Sequence, residues 1–314
     1  MGNILLVRGK PLPAMKFFGI VDTVVDAAIL LLLLITFRCL LKTKRSSPTL
    51  TSMSMAFSVI VLLIIIYDVG FNYLLLSFSS SEMYIMNTKK EIEVTELIFA
   101  YPKSFKLSVI LTAMKLYTKA ALVLLHAVTS FNRACAIFIP HLYKRLFSIR
   151  RSTSMLVSCF LLSAPIIIVY SFQLFGCLYF FNPPTFSWWY AGFSCHTAQV
   201  IAEYFLTGIV LSLSIIVDAF IVLYLLKSFK SQRGGYSRDS KSFRFMIQTL
   251  VLALSNGCFT FYLYTRGAYT IRIAMADHVV KLCDLILALI YSISIAFVNP
   301  TVRKEVIKFV SRSK

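Results

Sequence analysis

Ser108, Thr112, Lys115, Lys119, Leu122, His126, Thr129 and Arg133 follow one another at alternating spacings of four and three along one apolar stretch. On an α-helix that spacing stacks them on a single face. The remaining positions between Leu107 and Phe131 are mostly Leu, Val, Ile, Ala and Met, with Tyr117 and Thr118 near the middle. At 1.5 Å per residue this run is long enough to cross a hydrocarbon layer of ~30 Å. An ionisable group facing lipid costs several kcal/mol, so the stripe must face other helices or a wet cavity. Its lysines can do one of two things: pair with acids on neighbouring helices, or receive an acidic or acceptor-rich ligand.

The acids that could meet it lie within other apolar runs: Asp22, Asp26, Asp68, Glu203, Asp218 and Asp284. Counting depth along each helix puts both Asp68 and Asp284 within reach of Lys115, and puts Lys119 near the level of Asp218. Lys281 and Asp284, three residues apart, could also pair along their own helix. One reading is that these pairs only fix helix packing. The other is a polar ligand cavity lined by Asp68, Thr112, Lys115, Lys119 and Asp284, with Lys281 a further candidate.

Hydrolytic chemistry is excluded on motif grounds. Two facing intramembrane aspartates can share a proton and activate water, and Tyr67-Asp68 resembles half of that arrangement. The Gly-x-Gly-Asp half is absent around Asp218 and Asp284. There is no His-Glu-x-x-His zinc motif and no Gly-x-Ser-x-Gly elbow. The sequence calls for no cofactor and no metal.

The elements that must position these residues are membrane helices. The 314-residue chain is 58% hydrophobic and 14% charged, too little polar material to clothe a soluble domain of this size. Seven spans can be drawn, at roughly 17–41, 53–78, 107–131, 154–176, 200–226, 243–265 and 278–298, in one domain covering 1–314. The fold class expected is an all-α membrane protein, a seven-transmembrane helix bundle. The net charge of +19 sits between the spans, where it orients the chain, and not in a patch suited to nucleic acid. Arg38–Arg45, Arg133–Arg151, Lys227–Arg244 and the tail from Asn299 together carry twice as many Lys and Arg as the connections on the opposite side. That bias predicts a cytoplasmic C-terminus and an outside N-terminus. The stretch before Phe17 has no cleavable-signal pattern, so the first span is expected to serve as its own insertion signal.

Cys177 and Cys195 flank a segment without Lys or Arg that holds Tyr179, Phe180, Phe181, Pro183, Pro184, Phe186, Trp188, Trp189 and Tyr190. They are the two cysteines placed at the outer face, where a disulfide persists. The expectation is a Cys177–Cys195 bond closing an aromatic lid that contributes Trp188 and Trp189 to the cavity. The competing reading is two free thiols in an interfacial aromatic belt.

Seven spans, the polar-striped third helix ending in Asn132-Arg133, and Asn299-Pro300 at the end of the seventh resemble G-protein-coupled receptors. Asn132-Arg133-x-Cys135-Ala136, followed by Pro140, His141, Tyr143 and Phe147, resembles the third-helix signature of the nematode serpentine chemoreceptors of class X and its XA relative. The outer loop between Cys177 and Cys195, and Asn299-Pro300-x-x-Arg303-Lys304-Glu305, fit the same group. The resemblance implies a plasma-membrane chemosensory receptor, in a sensory neuron membrane. Its partners would be an extracellular small-molecule or pheromone-like ligand and a heterotrimeric G protein. By the same resemblance Asn132, Arg133, Tyr143 and Arg303 are the coupling candidates.

Three departures qualify the match. Asn132 stands where many such receptors have an acid next to the arginine, so the usual acid–arginine latch is missing. Arg303 follows Asn299-Pro300 where a Tyr is common. No cysteine starts the third helix, so the usual covalent tie from that helix to the second outer loop cannot form. The basic residues around Arg133 could also hold anionic lipid headgroups. A transporter or ligand-gated channel subunit built on Lys115 and Lys119 is the alternative, although no internal repeat supports it. Pairing with itself or with a sensing partner as an oligomer is also open.

Overall fold

The computed structural model describes residues 13–43, 48–77, 103–182, 187–191, 204–231, 250–258, 274–298 and 300–312. The first four spans are the helices Pro13–Thr43, Pro48–Ser77, Lys103–Phe138 and Ile149–Ser171. The fifth begins as a π-helical stretch, Tyr204–Leu211, and continues as the α-helix Ser212–Ser231. The seventh is Ala274–Ile293, extended by a π-helical Ser294–Val298. Residues 250–258 are helical and fall inside the expected sixth span, whose other residues lie outside the described ones. Residues 232–249, Cys195 and Asn299 lie outside them too. Among the described residues five helices are long and apolar enough to cross a membrane, and Leu282–Ala296 is a shorter apolar helix.

Local chemistry explains where these helices begin and end. Pro13, Pro48, Pro140 and Pro300 each open a helix, where the missing N–H costs nothing and the fixed φ is already helical. The third helix runs past the expected Phe131 to Phe138 and stops at Ile139, which has φ −136° and ψ 60°. A residue before proline is pushed out of the α region, so Pro140 sets this boundary. The fourth helix ends at Ser171, short of the expected 176. Beyond it Gln173 (φ 53°), Phe175 (φ 60°) and Gly176 (φ 70°) turn the chain back in left-handed backbone, a conformation that is uncommon for residues with a Cβ.

That reversal delivers the chain into a two-stranded antiparallel hairpin, β1 (Leu178–Asn182) and β2 (Ser187–Ala191), with Phe181 opposite Trp188 and Phe180 opposite Trp189. Sequence reasoning treated this segment as an aromatic lid and assigned it no secondary structure. The missed signal is two five-residue aromatic-rich runs separated by Pro-Pro, the composition of paired strands.

Span 3 is the centre of the packing. It lies against spans 2, 4 and 5 and against β1, while span 1 covers spans 2 and 7. Small residues permit the closest approach: a Cβ added to Gly70 on span 2 would stand 2.6 Å from the Leu111 methyls of span 3. Hydroxyls inside the bundle are largely satisfied by their own helices. Thr112, Thr118 and Thr129 donate to Ser108 O (2.8 Å), Met114 O (2.7 Å) and Leu125 O (2.7 Å). Such back-bonding lets a polar residue sit in a buried helix without an orphaned group. Large apolar side chains such as Leu161, Leu162 and Leu223 point outward and are exposed, as expected of surfaces that meet lipid tails. The tail helix Pro300–Arg312 folds back on span 1 and buries Val302 and Val306.

Candidate functional site

The stripe that opened the sequence reading faces the bundle interior: Ser108, Thr112, Lys115, Leu122, His126, Thr129 and Arg133 are buried, and Lys119 is half-buried. Its polar contacts fall at three levels along span 3.

At the level named outer after the orientation that the charge bias predicts, Lys115 Nζ lies 2.8 Å from Asp284 Oδ2 on span 7. The same ammonium stands 3.7 Å from the ring centroid of Trp188 on β2, so it has both an anion and an aromatic face. The Tyr67 hydroxyl of span 2 also hydrogen-bonds the Asp284 carboxylate. Asp68, which depth alone made an equal candidate for Lys115, adds its charge nearby while it accepts a hydrogen bond on its own helix. Asn72 Nδ2 lies 3.2 Å from Asp68 Oδ2 and 3.3 Å from Asp26 Oδ2, joining spans 1 and 2. Phe71, Phe181 and Trp188 pack together above this cluster with centroids 5.0 to 5.8 Å apart.

Two devices hold the lid. Ser108 Oγ donates to Phe181 O at 2.7 Å and accepts from Phe181 N–H at 2.8 Å. This pair of hydrogen bonds joins the outer part of span 3 to the outer loop, where the sequence lacks the cysteine for a covalent tie. Cys177 is disulfide-bonded, while Cys39, Cys135, Cys159, Cys258 and Cys283 are free thiols. Cys195 lies outside the described residues, as does the side chain of Trp189. Replacing Ser108 by Ala leaves a buried N–H and C=O of Phe181 without these partners, at an expected cost of about 1–3 kcal/mol. Thermal unfolding in detergent should therefore shift down, and Ser108→Thr, which keeps a hydroxyl, should shift less.

At the middle level His126 Nε2 hydrogen-bonds the Tyr291 hydroxyl of span 7, and Phe57 of span 2 stacks on Tyr291 at 5.3 Å. Sequence reasoning placed His126 on the stripe but had no partner for it.

At the inner level Arg133 Nη1 lies 3.7 Å from Asp218 Oδ1 on span 5, and both side chains are buried. That contradicts the depth reading that set Asp218 beside Lys119. The count assumed that all helices start in one plane, whereas span 3 rises into the outer hairpin at Ser108. Four turns of span 3 therefore separate Lys119 from the level at which Asp218 lies. Asn132 is buried, and its Nδ2 has no hydrogen-bond partner among the described residues. Tyr143, on the short helix Pro140–Leu146, stacks on Phe147 at 5.5 Å, and Phe147 reaches back to Phe131 at 5.8 Å. Arg303 is half-exposed on the tail helix and is not brought to Arg133 by any described contact. The Lys281 side chain lies outside the described residues. Among the described residues no group of His, Cys, Asp and Glu is arranged to hold a metal ion.

Chemically, the outer cluster is a set of ionic and aromatic groups already paired with one another. The inner pair is a buried ion contact toward the opposite end of the same helix. No curated protein matches the chain. The family model for the serpentine type 7TM GPCR chemoreceptor Srx matches residues 49–265, more than half of its length. The chain thus belongs to the Srx family of serpentine seven-transmembrane G-protein-coupled chemoreceptors.

Proposed function

We propose that this receptor binds an extracellular small molecule at the Lys115–Asp284–Trp188 cluster and, in response, activates a heterotrimeric G protein at the inner end of span 3. The observation that carries the reading is the continuity of that helix. One rigid element bears the outer cluster at Lys115 and the buried Arg133 at its other end. A ligand that engages Lys115 or Asp284 acts on the contact between spans 3 and 7. If it binds better when that contact is rearranged, it raises the population of the rearranged bundle. Asp68 and Thr112 complete the cavity wall, Lys119 lies one turn inward, and Trp189 belongs to the lid with Trp188. Cys195 is the proposed partner of Cys177. Asn132, Arg133, Tyr143 and Arg303 form the coupling set, with the C-terminus cytoplasmic and the N-terminus outside. The transporter or channel reading has no observation in its favour.

The test is expression in cultured cells with a generic G-protein reporter, followed by screening of odorant and pheromone pools. An active pool should give a saturable response. Arg133→Ala should abolish that response while the receptor still reaches the surface, with a C-terminal epitope reached by antibody only after permeabilisation. Full-strength signalling by surface-expressed Arg133→Ala would refute the coupling role. A C-terminal epitope accessible on intact cells would refute the orientation.

A further inference from the structure

We infer that Asp218 is the counter-ion that holds the floor of the bundle closed, so that in this chain the latch on Arg133 runs from the third span to the fifth. The inference deepens the coupling role proposed above and rests on that reading for its signalling consequence, but not for its structural one.

Three observations lead to it. Position 132, next to the arginine, is Asn and carries no charge. Among the described residues a carboxylate does meet the guanidinium, that of Asp218 at 3.7 Å, and the two side chains are only 4% and 2% exposed. Neither oxygen of Asp218 accepts a hydrogen bond of good geometry among the described residues, and the Ser130 hydroxyl of span 3 and the guanidinium reach the carboxylate only loosely. The contact is longer than a hydrogen bond, so it is Coulombic attraction in a low-dielectric site.

This is the chemistry of a reversible catch. A buried ion pair with excellent hydrogen-bond geometry repays its desolvation, whereas one lacking it sits near balance against alternatives in which the charges meet water or a partner. The neighbourhood makes the catch a hinge point between two helices. Among the described residues span 5 packs chiefly on span 3. Inward of the ion pair the remaining described ring contacts between the two are Phe138 with Phe220 (5.9 Å) and Phe138 with Tyr224 (5.4 Å). All three rings are substantially exposed, so they oppose separation weakly. The outer part of span 5 is π-helical over Tyr204–Leu211, a geometry often found at functional positions in helices. Breaking the ion pair therefore removes the main buried polar restraint holding the inner end of span 5 against span 3.

The experiment uses the full-length receptor with Cys258→Ser, which removes the exposed native thiol, and probes on Ile139→Cys and Lys227→Cys, both exposed positions at the inner ends of spans 3 and 5. Probe separation is read by pulsed electron resonance, and ligand-free signalling by the G-protein reporter. Asp218→Asn should lengthen the probe distance and raise basal signalling at least roughly fivefold, the low end of ordinary coupling between two states. Arg133→Gln should lengthen the distance equally while remaining silent in the reporter. The exchanged pair, Arg133→Asp with Asp218→Arg, should restore the short distance. If single variants fail to reach the surface, the exchanged pair must recover surface expression, and its failure to do so would count against the latch. An unchanged distance in Asp218→Asn and Arg133→Gln would overturn it. A lengthened distance with no G-protein response from any variant would keep the latch and reject the coupling reading.

Discussion

Lys115→Met should be the most damaging single change in the outer cluster, lowering the stability of the bundle by about 3–5 kcal/mol, the usual result of stripping one partner from a buried ion pair. Asp284→Asn should cost less. The ordering follows from what each variant leaves behind. Without Asp284, Lys115 still feels the carboxylate of Asp68 and keeps the face of Trp188 at 3.7 Å. Without Lys115, the buried carboxylates of Asp284, Asp68 and Asp26 remain, and the half-buried Lys119 is the more distant cation that acts on Asp284 among the described residues. Like charges in a site of low dielectric repel strongly, so losing the cation is worse than losing one anion. The double variant Lys115→Met with Asp284→Leu should recover most of the loss, because an apolar pair of similar volume often replaces a buried ion pair at little cost. Thermal unfolding of the wild type, Lys115→Met, Asp284→Leu and the double variant in detergent, followed by a thiol-reactive dye, completes a double-mutant cycle. An additive result, with no recovery in the double variant, would show that the pair is not energetically coupled. Recovery of stability without recovery of ligand response would separate the packing role of the pair from its binding role.

Which parts of this arrangement were legible beforehand depends on what sets them. Five spans were, among the described residues, since each is a long apolar run and backbone groups in lipid must be satisfied within the segment. The inward face of span 3 was legible for the same reason: Ser108, Lys115, His126 and Arg133 share a helical face that lipid would penalise. Partner choice was not. Depth left Asp68 and Asp284 equal for Lys115, and what separates them is Asn72, whose amide bridges Asp68 to Asp26. Its helix rotation cannot be read from spacing. Asp218 was misassigned because a depth count needs a common outer plane, and span 3 does not start at that of span 5. Ser108 passed as one more small polar residue on the stripe. Its two bonds to Phe181 exist only because the outer loop folds as a hairpin. Long-range polar contacts of this kind depend on how elements rotate and dock, and local pattern carries little of that.

Cys177→Ser should lower stability by about 2–4 kcal/mol, the typical value for a disulfide closing a short loop, and should weaken the ligand response more than a similarly destabilising change elsewhere. Cys177 is buried immediately before β1, and that strand carries Phe181, the residue Ser108 holds. Across the hairpin, Trp188 lies over Lys115. The disulfide and the Ser108 bonds thus anchor the same hairpin from two sides, one through the chain and one through span 3. Either alone still keeps the hairpin near the cluster, so Ser108→Ala and Cys177→Ser should each cost only the restraint it removes. Together they should cost more than their sum, the signature of two restraints on one element. An unreduced proteolytic digest should yield a cross-linked peptide pair containing residues 177 and 195; alkylation of both thiols without reduction would refute that pairing. If the combined variant is merely additive and the response to an active pool is unchanged, then the hairpin is a passive cover, and Trp188 contributes nothing to recognition.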